Sequence, residues 1–98
     1  MTAERAYIVD ILKSVKLSCV KLAQQVHSAQ LDQFIVRVMH TDDVKKEVEA
    51  FYFISGYEDF ALRLLWLLER MRVDGGVPSP SVTAFGVEEL LAVLPEST

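Results

Sequence analysis

The chain has 98 residues, of which 51% are hydrophobic, and its formal net charge is −4. This length allows one domain, and the hydrophobic share excludes a disordered chain. The negative charge argues against nucleic acid as a partner, because proteins that bind it normally present clustered Lys and Arg.

A long helix is predicted first, from about Thr2 to Val26. Its apolar side chains alternate at spacings of four and three residues, which is typical of a helix that packs along one side. Neither Pro nor Gly interrupts this segment. The apolar seam consists of Ile8, Leu12, Val15, Cys19, Leu22 and Val26.

The segment from Leu31 to Met39 fits either a helix or a strand. Its β-branched residues favour a strand. Its helical neighbours and the lack of an evident pairing strand favour a helix, and we predict a helix here. In that helix one side is formed by Leu31, Phe34, Ile35 and Val38.

Two further helices are predicted to form an αα-hairpin with a short turn. The first begins after a cap at Thr41 or Asp42 and runs to about Ser55, where Gly56 provides a left-handed stop. The second spans Asp59 to Val73. The buried stripe of the first is expected to comprise Val44, Val48, Phe51 and Tyr52.

The helix from Asp59 to Val73 is apolar nearly all round. Its main face contains Phe60, Ala61, Leu64, Leu67, Leu68 and Met71. A chain this short has little structure to cover a second face, so we expect that face to contact another protein chain. The alternative for Phe53 and Trp66 is that another helix of the same chain covers them. The predicted interface has apolar anchors and two arginines at its rim: Phe53, Leu62, Arg63, Leu65, Trp66 and Arg70.

The rest of the chain is predicted to be a tethered C-terminal helix. Residues 77–85 are interpreted as a Pro/Ser linker, and residues 86–98 as a latch helix and tail. That helix either folds back on the bundle of residues 1–76 or reaches a neighbouring subunit. Its apolar face is Val87, Leu90, Leu91 and Leu94. The predicted fold is an all-α, single-domain, compact bundle of four to five helices.

No pattern in the sequence indicates catalysis. The phosphate-loop, dinucleotide, CxxC, serine-elbow and HExxH signatures are absent, so we predict neither an enzyme nor a bound cofactor. His27 and His40 lack metal-ligand spacing, and we expect them to cap carbonyls or lie in water rather than bind a metal. The single cysteine, Cys19, excludes an internal disulfide and favours a cytoplasmic location. We predict that it is buried and inert, with a reactive thiol as the alternative.

One family resemblance supports that alternative. Small sulfur-carrier proteins of the TusA/SirA-like family are similar in the order of several short pieces, which here are Cys19, Ile35-Val36-Arg37-Val38, Thr41-Asp42-Asp43, Phe51 and Gly56-Tyr57-Glu58. The resemblance implies a strand at residues 35–38 and sulfur transfer at Cys19. The cysteine–proline pair of that family is missing, since Val20 follows Cys19.

The predicted function is therefore protein–protein interaction. The chain is expected to act as an adaptor, an inhibitor, a chaperone-like protein or an assembly subunit, through an exposed hydrophobic helix face. Its partner is either a second copy or a different protein, with no role for membranes. The longest strongly apolar run, Leu64 to Leu68, is too short to cross a bilayer.

Overall fold

The structure is a computed structural model that describes residues 3–21 and 25–95, without the side chains of residues 25 and 26. Five helices and no strand occur in this part of the chain, which confirms the predicted all-α bundle. The helices are α1 (Ala3–Lys21), α2 (Gln25–His40), α3 (Val44–Phe51), α4 (Glu58–Asp74) and α5 (Pro80–Ala92).

Helices α1 and α2 pack along one another and form the largest helix–helix contact of the described residues. The α1 seam is confirmed by burial of Ile8, Leu12, Val15 and Cys19. Val26 belongs to α2 rather than to the first helix, so the predicted first helix was too long. Leu22 lies outside the described residues.

Helix α2 is continuous through the segment for which a strand was the alternative. All four side chains assigned to its inner face are buried, namely Leu31, Phe34, Ile35 and Val38. The strand at residues 35–38 that the sulfur-carrier resemblance implied is therefore wrong. A helical period buries four apolar side chains on one side, whereas a strand would have turned alternate ones outward.

Helix α3 begins close to the predicted position but ends earlier. Its N-cap is Asp43 rather than the predicted Thr41 or Asp42, and the Asp43 carboxylate accepts a hydrogen bond from the Lys46 backbone N–H at 3.1 Å. The helix ends at Phe51 rather than near Ser55. Tyr52 consequently leaves the buried stripe and is 38% exposed, which corrects its predicted place in the core.

Helix α4 follows a tight turn in which Gly56 has a φ of 90°, the left-handed conformation predicted for it. The predicted role of Gly56 as the stop of α3 was wrong, because Tyr52 is the C-cap of that helix. The predicted main face of α4 is confirmed in full, since each of its members is buried: Phe60, Ala61, Leu64, Leu67, Leu68 and Met71. This face covers the centre of the core, so the opposite side of α4 is left at the surface.

Helix α5 folds back on α1 and α4 of the same chain. It begins at Pro80, so the predicted linker over residues 77–85 was too long. Ser79 caps the helix by accepting from the Val82 backbone N–H at 3.3 Å, and proline suits the first helical position because its missing N–H would have no helical partner. Leu90 is fully buried, as predicted for the inner face.

Candidate interaction surface

Exposed hydrophobic side chains gather where the α3–α4 turn, the outer side of α4 and one side of α5 meet. We call this surface the aromatic patch, and it consists of Tyr52, Phe53, Leu62, Trp66 and Phe85. Phe53 is 83% exposed and Trp66 is 45% exposed. Leu62 lines both depressions of the patch, so the two adjoin at this residue.

The first depression lies between α4 and α5 and has a volume of about 460 Å³. Trp66 from α4 and Phe85 from α5 form its aromatic walls, with ring centroids 6.3 Å apart and planes at 66°. This edge-to-face arrangement is one of the favoured geometries for aromatic pairs. Gly86 also lines the depression, since α5 approaches α4 closely at that residue.

A salt bridge closes one edge of this depression. Arg63 Nε lies 3.2 Å from Glu89 Oε2, which joins α4 to α5. Both side chains remain more than one third exposed, so the pair contributes little to stability. The pair places one positive and one negative side chain beside Trp66.

The second depression lies beside the α3–α4 turn and has a volume of about 240 Å³. Tyr52 and Phe53 meet edge to face there, with centroids 5.4 Å apart. Leu65 forms part of its floor and is partly buried against the core. Glu49 supplies a carboxylate at this end of the patch.

The structure brings together five of the six residues predicted at the interface, namely Phe53, Leu62, Arg63, Leu65 and Trp66. Arg70 lines neither depression and instead pairs with Asp74 at 3.1 Å along α4.

Sequence reasoning missed Phe85, which it assigned to the linker. The signal that could have located Phe85 on a helix is the Ser79–Pro80 helix start.

The two histidines differ in their surroundings. His40 Nδ1 donates to the Val36 carbonyl at 3.0 Å, as predicted for a histidine at a helix end. His27 is 4% exposed, and its Nδ1 lies 2.7 Å from the Tyr57 hydroxyl, so the expectation of a capping or solvated side chain was wrong. His27 Nε2 is buried without a hydrogen-bond partner among the described residues.

Cys19 is fully buried in the α1 seam. Burial raises the pKa of its thiol above the ordinary value of 9.0, because a thiolate loses hydration in the core. A nucleophilic cysteine requires the opposite shift and access to solvent. The environment of Cys19 therefore suits an inert core side chain.

The described residues contain no group of three or more His, Cys, Asp and Glu side chains that could hold a metal ion. None of the described helices combines the length and the apolar character that a membrane span requires.

Comparison with known proteins gives no match. No protein-family model fits the chain, and neither a curated protein nor a solved structure is significantly similar to it.

Proposed function

We propose that this chain is a protein–protein interaction module that self-associates through the aromatic patch. The single observation that supports this proposal most is the exposed contact between Trp66 and Phe85, which lie on different helices and line one depression. Holding two large aromatic rings at the surface leaves apolar area in water, and a partner that covers them recovers that free energy.

The composition of the patch matches that of interface centres. Binding energy concentrates in a few aromatic and arginine side chains that fill pockets and are surrounded by polar groups. Trp66 and Phe53 provide aromatic anchors, and Arg63 is within the same depression as Trp66. The carboxylates of Glu49 and Glu89 supply the polar edge.

A second copy of the chain is the partner that the apolar composition of the patch favours, since homodimer interfaces are more apolar than transient ones. An interface with two-fold symmetry joins the same patch on both subunits, so the patch must complement itself. Here Arg63 lies beside apolar side chains, and Glu49 lies at the other depression of the patch. A two-fold axis near Leu62 would cover the apolar side chains of one patch with those of the other, while Arg63 keeps its salt bridge to Glu89 of its own chain.

Trp66→Ala tests the proposal, with association measured by native mass spectrometry and by light scattering over a concentration series. We expect a dimer in the unsubstituted protein. The substitution should weaken the dimer by about 2 kcal/mol or more, the effect of losing a central aromatic anchor. Phe85→Ala should act in the same direction.

Leu62→Ala is a second test of the patch, and Leu17→Ala is its matched control. Both leucines are about half exposed, at 49% and 56%, but only Leu62 lies in the patch. We expect Leu62→Ala to weaken association and Leu17→Ala to leave it unchanged.

Three results would count against the proposal. A strictly monomeric protein would exclude self-association. A stable complex with a different protein would show that this protein, and not a second copy of the chain, is the partner. Loss of the folded monomer in Trp66→Ala, measured by circular dichroism, would show that Trp66 belongs to the core.

A further inference from the structure

Helix α5 separates the aromatic patch from a second concave surface on its other side. This surface lies between α1 and α5 and has a volume of about 640 Å³. We call it the acidic groove. The residues that line it include Tyr7, Asp10, Ile11, Pro78, Val87 and Glu88.

The floor of the acidic groove is apolar and fixed in place. Ile11 is 2% exposed, and Pro78 is buried beside it. Across the groove, the Tyr7 hydroxyl lies 2.8 Å from Thr83 Oγ1, a hydrogen bond that links α1 to α5. The two hydroxyls satisfy each other, so the groove is held in shape without a ligand.

The walls of the groove carry uncompensated negative charge. Asp10 on α1 and Glu88 on α5 are both exposed, and neither forms a salt bridge within the described residues. No Lys, Arg or His is among the residues that line the groove. The chain as a whole is also acidic, with a net charge of −4, so a cationic partner is attracted at long range as well.

We propose that the acidic groove binds a segment of another protein that carries lysine or arginine next to apolar residues. The aliphatic stem of such a cation lies on Val87 and on Val77, which also lines the groove and is 58% exposed. Its charged end reaches the carboxylates of Asp10 and Glu88. The groove is open along its length, and this favours a peptide segment over a small molecule, which requires more complete enclosure. This inference does not depend on self-association through the aromatic patch.

The test uses a labelled amphipathic helical peptide of leucine and lysine, titrated with the full chain in a fluorescence anisotropy assay. The paired variant Asp10→Asn/Glu88→Gln removes both carboxylates of the groove while preserving their size. We expect it to weaken binding by about three- to tenfold, the effect of losing two exposed ion pairs. The same peptide with glutamate at each lysine position should not bind.

The matched control is Asp42→Asn/Asp59→Asn, which makes the same change in net charge at exposed carboxylates outside the groove. We expect this pair to bind the peptide as the unsubstituted chain does. Amide chemical shifts should move at Ile11 and Val87 on addition of peptide. Raising the salt concentration should weaken binding, since exposed charges are screened.

Several outcomes would overturn the proposal. Equal weakening by both paired variants would show a general charge effect. Chemical shifts confined to Trp66 and Phe85 would place the peptide on the aromatic patch. Amide chemical shifts of groove residues that change with protein concentration in the absence of peptide would show that a second copy of the chain occupies the groove.

Discussion

Gly86 lies against Leu67 so closely that a Cβ atom on the glycine would be 2.8 Å from Leu67 Cδ2. Leu67 is fully buried, and its Cδ1 and Cγ atoms would lie within 3.3 Å of the same Cβ. The absence of a side chain at Gly86 therefore sets how closely α5 packs on α4. Phe85, the preceding residue, lies beside Trp66, with ring centroids 6.3 Å apart.

Gly86→Ala should lower the free energy of unfolding, although alanine is the better helix former. Replacing glycine gains about 1 kcal/mol of helix propensity, while overpacking a filled site costs about 1–3 kcal/mol. We expect a net loss of about 1 kcal/mol in urea unfolding. Gly76→Ala is the control, because a Cβ there meets no atom within 4 Å. Stabilisation by both substitutions would contradict the close packing at Gly86.

Tyr57→Phe should destabilise the fold by about 1–3 kcal/mol. The Tyr57 hydroxyl is the hydrogen-bond partner of His27 Nδ1, and removing it leaves the buried imidazole without a partner at either nitrogen. Tyr52→Phe removes a hydroxyl from an exposed ring and should change stability by less than about 0.5 kcal/mol. Thermal unfolding of the two variants measures the difference, and equal effects would show that the buried hydrogen bond contributes nothing.

Cys19 should react with a thiol reagent only when the protein unfolds. Its side chain is fully buried, so a reagent cannot reach the sulfur in the folded state. Burial also raises the pKa of the thiol, which disfavours the reactive thiolate. The rate of reaction with Ellman's reagent in increasing urea measures this directly. Ser55→Cys provides the comparison, since residue 55 is exposed and its thiol should react at once. Rapid reaction of the native Cys19 would support the sulfur-carrier alternative.

Stability should fall at alkaline pH in two steps. Burial raises the pKa of Cys19 above 9.0, and burial together with the nearby Cys19 raises the pKa of Tyr57 above 10.0. Above each ordinary value the unfolded chain releases a proton that the folded chain keeps, so the unfolded state binds fewer protons and stability decreases as pH rises. Both contributions are fully present below pH 9.0.

Urea midpoints measured at increasing pH test this dependence. Cys19→Ala should delay the onset of the decrease to about the ordinary pKa of tyrosine, 10.0. An unchanged onset in this variant would assign the first step to another group.

The sequence predicted those parts of the fold that follow a helical period. The α4 face and the inner side of α2 agree with the structure residue by residue, because one apolar stripe at a spacing of three and four residues has only one way to be buried. Five residues of the candidate interface were predicted for the same reason. They are apolar and basic side chains that lie outside the main face of α4 and outside the buried stripe of α3.

The remaining errors concern helix ends and contacts between distant residues. Pro80 suggested a linker, yet proline is compatible with the first turn of a helix, and Phe85 was consequently missed. The position of Tyr52 depended on where α3 ends. The burial of His27 depends on Tyr57, a partner thirty residues away in the chain that no local pattern reveals.

The burial of Cys19 has a practical consequence for measuring assembly. The chain has one cysteine, and its thiol is enclosed in the core. A second cysteine introduced at an exposed position would therefore be the sole target of a labelling reagent in the native protein. Each copy would then carry a single spin label at a chosen site, with the core left as it is. In a two-fold symmetric pair of copies, the distance between the two labels would be twice the distance of that site from the rotation axis.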